Sequence, residues 1–370
     1  MVDPVPPEQE MADEHALALL GAPARAMIAM PRRVALAIAT LRSPEERPLS
    51  DIERLAADRS IERLFHAVEA DLRARMLLHP DFPDGEELRQ SFGSIRVAIA
   101  AKILSSAGLA IDAELVGAIL RHIAIHRLGS MLERQEGGDE ADLFEELIES
   151  EDPAVSRAAT AMMIARNGER DMSGVPQFDE GDLSDAQRRM LYWRVAAALR
   201  DYAVGIHGAD AAAMDRIAVS AVETVLSAPH GSPLVSAAIA LAEGIDATDA
   251  MCVRCARAGH IWPYAAMLAK RANLSVETVA DFLTGGDIAA HALVLAACGM
   301  RRESAAGILM LFAGLSGAHG GGDDALVDVM TGYDAIDAEA AREALKVWQS
   351  DALYRETVAA LADPATRTRQ

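Results

Sequence analysis

Aromatic residues are scarce in this chain, at 4% of 370 residues. The alternation of β-branched and aromatic side chains that half-buried strands need is missing too, which argues against a sheet-based fold. Only three cysteines occur, Cys252, Cys255 and Cys298. An odd and sparse set of this kind excludes the disulfide framework of a small secreted domain. The longest apolar runs, 288–300 and 305–315, are split by Arg301, Arg302 and Glu303 and fall short of the roughly 18 residues that a membrane-spanning helix requires. No basic flank followed by an apolar core opens the chain, so no secretory signal is expected and the location read from it is cytoplasmic. Positive charge is also in deficit, with 35 basic against 56 acidic residues and a formal net charge of −21. Such a surface repels phosphate backbones and anionic leaflets, which argues against nucleic-acid and membrane-surface partners and leaves a protein partner with a basic patch, or plain solubility, as its use.

What the chain does have is apolar helix-forming sequence. Hydrophobic residues make up 51% of it, with Ala and Leu prominent, and the expected class is all-α. One stretch repeats itself. Ala258-Gly259-His260-Ile261 returns as Gly285-Gly286-Asp287-Ile288, each followed by an apolar helix. Asn273-Leu274 then answers Gly299-Met300, and Glu277 with Phe282-Leu283 answers Glu303 with Ile308-Leu309 after a one-residue slip. Each copy reads as two short helices joined by a turn. A hairpin of about 27 residues cannot bury its apolar side alone, so the expected architecture is stacked helical hairpins, as a HEAT-like α-solenoid or two helical-repeat lobes.

Along the chain, residues 1–13 read as a disordered leader and 363–370 as a frayed tail. An N-terminal helical lobe is expected over 14–166, a Gly-, Pro- and Asp-bearing linker over 167–183, and a C-terminal helical-repeat lobe over 184–362. Local signals mark several helix starts. Ser50 with Glu53 and Ser184 with Gln187 form capping boxes, Asp152-Pro153 opens a helix, and Thr248 caps the one carrying Cys252 and Cys255. Ile61, Leu64, Phe65, Val68 and Leu72 share one helical face, from which Arg63 points away.

Cys252 and Cys255, with His260 five residues on, form the sharpest chemical signal. Two thiols three apart share a helical face, and a redox pair or soft-metal site is the chemistry that they imply. The spacing matches three ligands of a zinc knuckle, but Ala265 stands where the fourth belongs. His122 and His126 lie four apart but without the intervening Glu of a zincin motif, and Arg121 and Arg127 flank them. The 317–322 glycine loop lacks the Lys-Ser/Thr ending of a P-loop, and Asp323-Asp324 follow it. No cofactor is expected. The acidic segment 139–152 is different: Leu143, Phe144, Leu147 and Ile148 give it an apolar side, while Asp142, Glu145, Glu146 and Glu149 form like-charge pairs four apart. That pattern points to a face that docks a basic partner, the alternative being a solvated acidic face in an acidic protein.

The segments 257–260, 267–269, 279–283, 293–295 and 308–311, together with Ala56-Ala57-Asp58-Arg59-Ser60, resemble an alphaproteobacterial family of helical proteins catalogued as a domain of unknown function. The resemblance implies a bacterial, HEAT-like all-helical protein and supplies no catalytic residues. The function expected from these readings is a non-enzymatic interaction, scaffold or adaptor protein. The alternative is a cysteine-based redox or metal sensor using Cys252, Cys255 and His260.

Overall fold

The computed structural model describes residues 7–42, 49–94, 98–135, 143–168, 176–315 and 322–362. Nineteen α-helices and no strand occur among them. In chain order they begin with α1 (Pro7–Leu20), α2 (Ala22–Arg42), α3 (Asp51–Leu78), α4 (Glu86–Gly93), α5 (Ala100–Ser106) and α6 (Ala113–Gln135). Next come α7 (Leu143–Ile148), α8 (Pro153–Gly168), α9 (Asp185–His207), α10 (Ala211–Leu226), α11 (Pro233–Gly244), α12 (Asp249–Arg257) and α13 (Ile261–Ala272). The last are α14 (Val276–Thr284), α15 (Ile288–Ala297), α16 (Arg302–Leu315), α17 (Gly322–Ala335), α18 (Ala338–Leu345) and α19 (Ala352–Ala362).

The expected helix starts are present, held by the side chains that marked them. The Ser50 hydroxyl accepts from the Glu53 amide at 3.3 Å while the Glu53 carboxylate accepts from the Ser50 amide at 2.9 Å. Ser184 and Gln187 do the same at 3.2 and 2.9 Å. Asp152 accepts from the Ala154 amide at 2.8 Å, and Thr248 from that of Met251 at 3.2 Å. Each satisfies an amide that the first helical turn leaves open.

The chain forms two compact units, one of 1–33, 123–168 and 233–370, the other of 34–122 and 169–232. The units are interleaved in sequence, with boundaries inside α2 and α6, whereas the sequence reading places a single boundary at 167–183. Within that stretch Phe178 is a buried core residue and Glu180–Asp182 forms a 3-10 turn. Helix α1 starts inside the segment read as a leader, at Pro7; residues 1–6 and the tail lie outside the described ones.

In the second unit α3 packs against α9 and α10; Leu64, Phe65, Val68 and Leu72 of α3 are buried, as are Leu191, Val195 and Ile217 on the other two helices. Arg63 is not turned to solvent as expected; it donates to the Pro176 carbonyl at 3.3 Å. The buried Glu69 carboxylate, paired with Arg73, accepts from the Ile99 and Ala100 amides at 2.8 and 3.0 Å and so caps α5 from the side.

The first unit is built around α13 and α15. Residues 261–269 of α13 are all buried, as are 289–297 of α15. A helix apolar on every side must be surrounded rather than laid on a surface. The matched segments are the hairpins α13–α14 and α15–α16, and corresponding residues share backbone geometry. Gly259 and Gly286 have φ of 71° and 77°, and Asn273 and Gly299 have φ of 54° and 63°. Asn tolerates this left-handed region better than most side chains, which explains the Asn-for-Gly exchange between copies. A third hairpin, α11–α12, precedes them with its helices about one repeat earlier in sequence. The hairpins are not ordered as a regular one-dimensional stack, however. Helix α12 lies against α13 and α16, while α14 packs on α13 and α15. Beside these contacts, α11 adjoins α13 and α13 adjoins α15 in sequence order.

Gly259 also permits a close backbone approach within this unit. A Cβ on it would stand 2.4 Å from the Gly129 carbonyl oxygen of α6, and one on Gly129 would stand 2.7 Å from that of Gly259. Gly259→Ala is expected to destabilise the protein by about 2–4 kcal/mol, combining left-handed strain with overpacking. Gly286→Ala has the same φ penalty but open space, and should cost about 1–2 kcal/mol. Urea unfolding of both variants checks the order.

Candidate functional site

The structure buries Cys252 and Cys255 on α12, at 0% and 2% exposure. His260 stands at the N-terminal boundary of α13 with its ring 4.3 Å from that of Phe144 and its Nδ1 3.3 Å from Arg166 Nη1. Among the described residues no group of three or more His, Cys, Asp or Glu is arranged to hold a metal ion. Burial pushes the Cys252 thiol up to about 11 and the Cys298 thiol up to about 12, against the opposing charge of Arg271, and it pushes Cys255 still higher. The acidifying influence of a helix start is outweighed by desolvation, so the thiolate that redox and metal chemistry requires is strongly disfavoured at neutral pH.

What surrounds these thiols is an ion-pair hub. Arg271, at the end of α13, bonds Asp249 Oδ1 at 2.9 Å, the Cys298 carbonyl at 2.8 Å and the Ala247 carbonyl at 3.2 Å. Asp249 Oδ2 accepts from the Arg301 amide at 2.9 Å. Desolvation tends to raise the Asp249 pKa, but the Arg301 amide and the Arg271 guanidinium hold it below the ordinary carboxylate range. One pair thus ties the starts of α12 and α16 to the ends of α13 and α15.

A second buried polar contact joins the two central helices. The Tyr264 hydroxyl lies 2.7 Å from His291 Nε2, and the ring of Phe312 stands 4.6 Å from the imidazole. Burial drives the His291 pKa down to about 3. His122, in the second unit, is also buried; its ring lies 5.5 Å from Phe178 in an edge contact. Desolvation lowers its pKa although Asp182 and Asp179 oppose the shift. The His122 and His126 pair belongs to no metal-holding group among the described residues.

In the described part of the acidic segment, α7 spans Leu143–Ile148. Leu143 and Phe144 anchor α7 in the core of the first unit. Asp142 lies outside the described residues. Glu146 is held by Arg254, whose Nη2 stands 2.9 Å from both carboxylate oxygens; the basic group offsetting the repulsion there belongs to this chain. Glu145 and Glu149 face solvent.

Sequence reasoning missed one feature altogether, a groove of about 110 Å³ between α2 and the α14–α15 turn. Its floor is apolar, formed by Ala26, Met30, Phe282 and Ala290. Arg25 and Arg33 border it from α2, and Asp281 and Asp287 from the opposite side. Arg25 Nη2 stands 3.6 Å from Asp287, and Arg33 donates to the Thr284 carbonyl at 3.1 Å. The signal available was the spacing of Arg25, Ala29 and Arg33 at successive helical turns. It has no meaning until the α14–α15 turn is placed beside it.

Comparison with known proteins settles the lineage. Residues 136–346 match DUF2336, described as an uncharacterised protein conserved in bacteria. The chain belongs to this bacterial family. No curated protein and no solved structure matches it. The matched region includes α7, the cysteine helix and all three hairpins, but not α2, which forms one wall of the groove.

Two outcomes test these assignments. All three thiols should resist an aromatic disulfide reagent at pH 8 in the folded protein and react fully in denaturant; rapid reaction of Cys252 or Cys255 in the native state would restore a redox role. The unfolded chain binds a proton at a histidine near pH 6.5 that folded His291 refuses down to about pH 3, so this residue's contribution is complete above about pH 6.5 and declines as pH falls. His291→Gln should flatten the stability loss between pH 6 and 4 by up to about 1.4 kcal/mol per pH unit, read by denaturant titration.

Proposed function

We propose that this DUF2336 protein is a non-enzymatic interaction protein of the bacterial cytoplasm, docking a basic protein partner through the outer side of α7. The observation that carries this reading is the way α7 is held. Leu143 and Phe144 bury its inner side, and Arg254 neutralises Glu146, so Glu145 on α7 and Glu149 in the turn that closes it are presented from a fixed element rather than a loose one. A rigid pair of carboxylates loses little conformational freedom on binding, and a net charge of −21 steers cationic partners toward it. No helix among the described residues is long and apolar enough to cross a membrane. The cysteine-sensor alternative has the burial and raised pKa of every thiol against it.

Affinity capture from the native host followed by titration of the captured partner tests the proposal. The double variant Glu145→Lys/Glu149→Lys should weaken binding at least about tenfold, or 1.4 kcal/mol, and reduce its salt dependence. Reversal of Glu223 on α10 should change neither. Equal affinity of the double variant and the parent protein would eliminate α7 as the docking face.

A further inference from the structure

We propose that the groove between α2 and the α14–α15 turn binds a free aliphatic α-amino acid of leucine size. The inference is independent of the α7 reading and rests on three properties of the groove.

Its volume comes first. At about 110 Å³ the groove is smaller than the roughly 150 Å³ cavity that takes benzene, a six-carbon ring, and by that ratio suits a side chain of about four carbons. The second property is its floor. Ala26, Phe282 and Ala290 are 7%, 1% and 1% exposed, so an aliphatic group seated there meets side chains already removed from water.

The third property is the rim, which carries equal numbers of positive and negative groups. At one end Arg25 leans on Asp287, whose other oxygen accepts from the Ala289 amide at 2.9 Å. Arg25 is further fixed by donating to the Ala18 carbonyl at 2.8 Å. At the other end Arg33 interacts electrostatically with Asp281 and donates from Nη2 to Thr284. A guanidinium has five N–H donors, so the bond to Thr284 leaves a fork for a carboxylate. Gly285 assists, because a side chain there would crowd the Asp281 carbonyl at 3.0 Å and approach Arg33 Nη1 at 3.7 Å.

A simple carboxylic acid would satisfy Arg33 but set its charge beside Asp281, and a simple amine would do the reverse. A zwitterion answers both signs, with its carboxylate on Arg33, its ammonium toward Asp281 and its side chain on the floor. The terminus of a peptide carries only one of the two charges, and so fits less well.

Calorimetry and amide chemical shifts of the full chain with L-leucine, 4-methylpentanoate and 3-methylbutylamine test the proposal. L-Leucine should bind with a Kd in the millimolar range or below, shifting resonances of α2 and the α14–α15 turn, and each singly charged analogue should bind at least about tenfold more weakly. Arg33→Gln should weaken L-leucine at least about tenfold. Ala29→Leu, a change at an exposed lining position that leaves the core intact, should obstruct the groove and abolish binding. No response to about 10 mM L-leucine by protein of native circular dichroism would overturn the proposal. So would binding of 4-methylpentanoate as tight as that of L-leucine, which would identify a carboxylate site suited to a peptide C-terminus.

Discussion

Two short helices without a polar side, α13 and α15, set the terms for the first unit. Each buries nearly every residue along its length, so each needs neighbours all round it. The surrounding helices supply that cover, and their arrangement follows from it. A single hairpin leaves the faces of its layer open to water, which helices of this composition do not tolerate. The hairpin repeat is visible as local geometry, in its turns and left-handed residues, and its helices share one core.

Enclosure on this scale leaves few places for polar groups, and those present are tied in pairs. Tyr264 and His291 satisfy one another between the two central helices, and burial keeps the imidazole neutral. Asp249 and Arg271 join the ends of four helices by accepting from and donating to backbone groups that helix termini leave open. Lys270 adds a similar bond, from its ammonium to the Ala242 carbonyl at the end of α11, at 2.7 Å. Buried cysteines then behave as small apolar residues. Their spacing on α12 follows from the need to present one face inward, and the same burial that makes them good packing partners raises their pKa.

Much of this was legible in advance wherever the signal was local. The capping boxes at Ser50 and Ser184, the cap at Thr248 and the helix opened by Pro153 depend on residues three or four apart, and the structure contains each. The repeat was legible for the same reason, since identical short-range turn chemistry leaves similar residues at similar positions. Charge was less well read. Glu146 gave every local sign of facing a partner, yet its counterion is Arg254, 108 residues further on. Arg63 was expected in solvent and reaches Pro176 instead. The groove was invisible, because Arg25 and Arg33 are separated by about 250 residues from the turn that completes it.

Sequence alone determined that this chain is helical, where several of its helices begin, and that its hairpins cannot stand singly. Those properties arise from backbone amides, helix periodicity and side-chain apolarity within a few residues, so no distant part of the chain is needed to specify them. Tertiary structure decided which helices become central, which thiols lose access to water, which carboxylates find internal cations, and where a cleft remains. Each of these depends on desolvation and on groups brought together from remote positions, quantities that exist only once the chain has closed on itself.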